Sequence, residues 1–133
     1  VTDIVEFLQA RYAEEKQAAE DARISDRRGP DWCIAEQPPA RWGVEPPDAE
    51  ILAGGKPIMR FNNEYGGDLA VDHVLRHGPR QVLADIDAKL RIVNECLRTI
   101  GFEDYGHALA NDVLGLLALP FAGHPDYREG WRP

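Results

Sequence analysis

The chain is poor in positive charge. Fifteen lysines and arginines face 23 aspartates and glutamates, leaving a formal net charge of −8 over 133 residues. A nucleic-acid binder usually shows a basic patch or stripe, so no nucleic-acid partner is expected. Long apolar runs are missing as well. None approaches the roughly 18 residues that a membrane span needs, so no membrane partner is expected. The opening Val1-Thr2-Asp3-Ile4 has no basic region leading into an apolar one and does not read as a signal peptide. The expected location is cytoplasmic. Cysteine is scarce: Cys33 and Cys96 lie far apart and outside any CxxC spacing. Two free thiols are expected rather than a disulfide. The only serine, Ser25, is not set in a GxSxG elbow. Gly54-Gly55-Lys56 lacks both the upstream glycine and the following Ser/Thr of a phosphate loop, which removes that reading.

What is present is ordinary globular material. Apolar residues make up 44% and charged residues 29%, as in a soluble folded domain, and the length suits a single domain over 1–133. The stretch from Pro79 to Ile100 organises the rest. Leu83, Ile86, Leu90, Val93, Leu97 and Ile100 recur in steps of three and four, which puts one apolar stripe along a helix. Asp85 with Lys89, and Asp87 with Arg91, are acid-first pairs four apart, an arrangement that supports a helix. The stripe spans under three heptads, too few for a coiled coil, so it reads as an internal core stripe before a pairing seam.

In chain order, Thr2 or Asp3 caps a first helix over 3–23. Its apolar residues Ile4, Val5, Leu8 and Tyr12 sit early, and its later turns are charged and alanine-rich. The Gly29-Pro30 step ends any helix there. The segment 31–61 is rich in proline, which excludes helix. Trp32 and Ile34, then Trp42 and Val44, are spaced as short strands. Glu50 to Ala53, a Gly54-Gly55 turn, and Pro57 to Phe61 read as a hairpin. Asp68 can cap a helix over 68–77 that Gly78 ends, and Pro79 suits the first position of the helix 79–100. A last helix over 107–118 carries Leu109, Val113, Leu116 and Leu117 on its apolar face, with Gly115 out of place inside it. In the tail 119–133, Tyr127 and Trp131 gain by folding back out of water. The pattern predicts an α+β fold: an N-terminal helix, a small antiparallel β ribbon or sheet, and three C-terminal helices including the long central one.

His73 and His77 are the sharpest chemical pair. Four residues apart on a helix, both imidazoles face one side and can hold zinc or nickel if a third ligand comes from elsewhere, with His107 or His124 as candidates. With Leu69 at zero and about 100° per residue, they fall at ~40° and ~80°, on the border of the apolar arc and therefore open to solvent. Val74 stands where a zinc peptidase needs its glutamate, so that chemistry is unsupported. A plainer role is also open to His77, since an imidazole near a helix C-terminus is favoured by the dipole. Cys96, at the edge of the long stripe, reads as a small buried thiol and not a nucleophile.

Three segments resemble a known family. The run Val71-Asp72-His73-Val74-Leu75-Arg76-His77-Gly78-Pro79, continuing to Lys89, is similar to the HIARHDPARVLREVEAKR stretch of a family of small actinobacterial and actinophage proteins. The C-terminal LLALPFAGHPDYREGWRP is similar to that family's LLALPYADHPDYREEWRP, and VEFLQARYAEEKQAA looks like its opening helix. The family is a domain of unknown function, so the resemblance implies membership and no activity. This chain departs at Gly78, where the family often has Asp, which removes an acidic cap for the long helix.

Three functions remain open. The leading expectation is a small acidic interaction or regulatory protein, non-enzymatic and of phage or mobile-element origin, with a protein partner and working as a monomer or homodimer. It rests on the lack of a convergent catalytic set or cofactor loop. The second is a metal-binding protein using His73 and His77. The third is a hydrolytic enzyme whose site is assembled from Asp, Glu and His where sheet and helices meet.

Overall fold

A computed structural model describes residues 2–24, 32–36, 49–53, 56–61, 67–101 and 105–133. The runs Trp42 to Val44 and Gly54-Gly55, along with Ser25, lie outside them, and so does the side chain of Cys33. The described residues form an α+β arrangement in the expected order. Helix α1 is Thr2–Ile24, followed by strands β1 (Trp32–Glu36), β2 (Ala49–Ala53) and β3 (Lys56–Phe61). Helices α2 (Gly67–Arg76), α3 (Pro79–Ile100) and α4 (Tyr105–Ala118) complete it, with single 3₁₀ turns at Leu119–Phe121 and Glu129–Trp131. Helix bounds fall within two residues of those read from the pattern. The residues group into two compact units, Val1–Lys16 with Asp85–Pro133, and Gln17–Ala84.

The first unit is built on helical spacing. Ile4, Val5, Phe7, Leu8 and Tyr12 of α1 are buried, as are Ile86, Val93 and Cys96 of α3 and Ala110, Leu114 and Ala118 of α4. Within each set residues three, four or seven apart fall on one side, so each helix turns one stripe inward. The surface of α3 carries the expected pairs, Asp85 with Lys89 at 2.6 Å and Asp87 with Arg91 at 2.9 Å. Exposed pairs of this kind add only about 0.3–0.5 kcal/mol each.

Tyr12 is buried, and its hydroxyl donates to the Leu117 carbonyl at 3.4 Å. Burial, helped by the charges of Glu15 and Asp85, pushes its phenol from 10.0 up to about 12. Between those values the unfolded chain ionises while the folded chain keeps the proton. The contribution of Tyr12 to stability is therefore complete below about pH 10 and lost as pH rises towards about 12. Urea unfolding of wild type and Tyr12→Phe should show it: the variant lacks this loss, so wild type declines more steeply above pH 10. Parallel decline of the two would rule the linkage out.

The second unit is a three-stranded antiparallel sheet in the order β1-β2-β3. The expected hairpin is β2 with β3, and β1 pairs with the other edge of β2, Ile34 opposite Ile51. The β2–β3 register shifts between Ile51 and Leu52, which brings Pro57 opposite Leu52. A bulge of this kind, next to a proline that cannot donate to the ladder, suits β3. Helix α2 lies against all three strands. Neighbouring residues of a strand point to opposite faces. Glu50 and Ile51 are both fully buried, so β2 is covered on both sides. The Glu50 carboxylate lies 3.3 Å from Nε of Arg60, its cross-strand neighbour, which offsets part of the cost of burying a charge.

Gly78 and Pro79 set the break between α2 and α3. The amides of His77 and Gly78 close the end of α2 on the carbonyls of Val74 and Leu75, and Val82 donates to the Gly78 carbonyl as the first bond of α3. Trp32 of β1 sits about one van der Waals contact from where a Gly78 Cβ would be, at 4.0 Å.

Candidate functional site

The histidine pair forms as its spacing requires. His73 on α2 and His77 in the turn after it are both exposed, with ring centroids 4.5 Å apart. Two imidazoles supply half of a tetrahedral zinc shell. Among the described residues no group of three or more His, Cys, Asp or Glu gathers as a metal cluster. The two histidines proposed as further ligands have other partners. His107 Nδ1 lies 3.2 Å from the Ile100 carbonyl. His124 sits against Arg11, whose Nη1 approaches both ring nitrogens and lies 2.9 Å from Nδ1.

That Arg11–His124 contact belongs to a cluster between α1 and the C-terminal tail that spacing along the chain does not reveal. The Phe7 ring meets Trp131 at 5.0 Å, His124 at 5.7 Å and Tyr127 at 6.3 Å between centroids. Asp3 and Arg128 close it with an ion pair at 2.6 Å. A cleft of about 410 Å³ opens beside it, walled by Glu6, Arg11, Asp126, Tyr127 and Trp131 among others. The chemistry favours a clasp over a ligand site. The protein's own guanidiniums already cover the aromatic faces, Arg11 over Phe7 at 5.4 Å and Arg128 over Trp131 at 5.6 Å. The rings contact one another, leaving no gap for a cation between them. Arg11 Nε and the Tyr127 hydroxyl lack hydrogen-bond partners among the described residues, but both are shut off from solvent, so a molecule in the cleft does not reach them.

The third feature is an apolar groove of about 370 Å³ between α3 and α4. Ile92, Cys96 and Thr99 form one wall, and Leu109, Ala110 and Val113 the other. The groove arises because α4 turns inward a different stripe from the one its spacing predicts. Leu109 and Leu116 do not face the core: they are 67% and 56% exposed, while Ala110, Leu114 and Ala118 are buried in their place. The helix is apolar on nearly every side, so its pattern did not fix which stripe turns inward. On α3 the long stripe buries Ile86 and Val93, but Leu97 from the same stripe is 45% exposed and Ile92 is 42% exposed. Cys96 lies buried at the groove, and burial, then the Glu95 charge, pushes its thiol up. It is held as the neutral thiol, which is a poor nucleophile.

The chain is thus an α+β protein whose exposed surface carries an apolar groove and a histidine pair. It belongs to the Family of unknown function (DUF6221), whose profile matches residues 1–133. Comparison with curated proteins and with solved structures gave no match. Among the described residues, no helix is long and apolar enough to cross a membrane.

Proposed function

We propose that this protein is a small, non-enzymatic interaction protein of the cytoplasm, and that its partner covers the α3–α4 groove. The observation that carries the reading is the exposed pair Ile92 and Leu109, large apolar side chains that line one groove together with Cys96 and Val113. Scattered apolar residues on a surface need no explanation, but a contiguous patch marks a contact site. Covering it removes apolar area from water at roughly 25 cal/mol per Å². The test is a photo-crosslinking residue placed at Leu109 in living cells, with Gln17 of α1 as an exposed control. A discrete crosslinked species from position 109 and none from position 17 is expected. No product from position 109 would contradict the reading.

Metal binding through His73 and His77 stands second, supported by the 4.5 Å approach of two exposed rings. Elemental analysis of untagged protein decides it: stoichiometric zinc or nickel, lost in His73→Ala, would place the function there instead.

A further inference from the structure

We infer that His73 and His77 are half of a metal site that a second copy of this chain completes, two histidines from each copy holding one zinc ion; this rests on the metal-binding reading above. The chain has four histidines. Two of them are engaged, His107 against the Ile100 carbonyl and His124 against Arg11. The two that make no hydrogen bond or ion pair among the described residues are the adjacent ones, and both are exposed. Ala70, three residues before His73 on the same side of α2, is exposed too, and its methyl group does not crowd the imidazoles.

The spacing suits one ion. At Zn–N distances of about 2.0–2.1 Å and near-tetrahedral angles, two imidazoles on one zinc hold their ring centroids roughly 5 Å apart. The observed separation is 4.5 Å, so small rotations of two exposed side chains bring a nitrogen of each ring onto a common ion. Charge does not oppose it. Arg76, next to His77 in the chain, is paired with Asp72 at 2.9 Å. The chain as a whole carries −8, which favours a divalent cation.

The second copy follows from what the pair lacks. A zinc held by two side chains is two ligands short of a closed tetrahedral site. No third His, Cys, Asp or Glu joins the pair among the described residues. A second copy supplies the missing half as the same two nitrogens at the same separation. A tetrahedron has two-fold axes that exchange one pair of ligands for the other, and a symmetric dimer is built on such an axis. The axis must therefore pass through the ion, with His73 and His77 of one copy facing His73 of the partner subunit and His77 of the partner subunit across it. The ion also supplies the attraction that two copies of charge −8 lack.

Sedimentation equilibrium of the full, untagged chain tests this, with metal first stripped by a chelator and zinc chloride then added in steps. The stripped chain is expected to be a monomer. It should become a dimer as zinc is added, complete at one zinc per two chains, and return to a monomer in excess chelator. His73→Ala and His77→Ala should each abolish the zinc-dependent dimer, since either change takes two of the four ligands from the shared shell. Both positions are exposed, so the variants should keep the wild-type circular dichroism. A dimer that forms without zinc, or that survives either substitution, overturns the inference. Zinc bound at one ion per chain by a monomer leaves the metal reading standing and makes the second copy wrong. No zinc bound at concentrations up to about 100 μM removes both.

Discussion

Leu114→Ala is expected to lower the unfolding free energy by about 3–5 kcal/mol. Leu114 is fully buried on α4. Truncation forfeits the transfer of its side chain out of water and leaves a cavity among close-packed neighbours that relax only partly. Against a typical total of about 5–15 kcal/mol for a domain, that is a large fraction. Leu109→Ala is the informative contrast, the same change five residues earlier on the same helix. Leu109 is 67% exposed, so its truncation should cost no more than about 0.5 kcal/mol. Urea unfolding of both, at the lowest workable concentration so that association contributes least, reads the difference. Equal costs would mean that α4 turns a different face inward.

Gly115→Ala should also destabilise, by about 1–3 kcal/mol, although helix propensity alone argues for a gain of about 1 kcal/mol. The reason is the tail. A Cβ on Gly115 would clash with the Trp131 carbonyl oxygen and lie 3.1 Å from Cδ of Pro133. The first of these is backbone, which cannot swing aside as a side chain does. The 3₁₀ turn Glu129–Trp131 must therefore shift, and with it the Trp131 ring that rests 5.0 Å from Phe7. The variant should show red-shifted tryptophan emission and faster proteolysis of the last residues. A variant more stable than wild type, with unchanged emission, would show that the tail does not press on α4.

Much of the fold was legible because local rules and tertiary packing agree. The three-four stripe of α3, the Gly78-Pro79 break and the β2–β3 hairpin each follow from short-range chemistry and appear where expected. The inward face of α4 was not legible. Leu109, Leu114 and Leu116 are equally apolar, and only packing decides that Leu114 turns inward. Gly115 did carry a signal: a glycine inside a helix can mark a close backbone approach, and here the tail makes it. The folding back of Tyr127 and Trp131 followed from their size. Their meeting with Phe7, and that of His124 with Arg11, joins residues more than 110 apart, which no periodicity reports. His73 and His77 were legible as a pair, because four residues on a helix fix their separation.

We propose that a partner covers the exposed α3–α4 groove, and crosslinking from Leu109 in living cells tests this most directly. A discrete crosslinked species whose yield falls in Ile92→Glu is the predicted result. No crosslinked product from position 109 would contradict it.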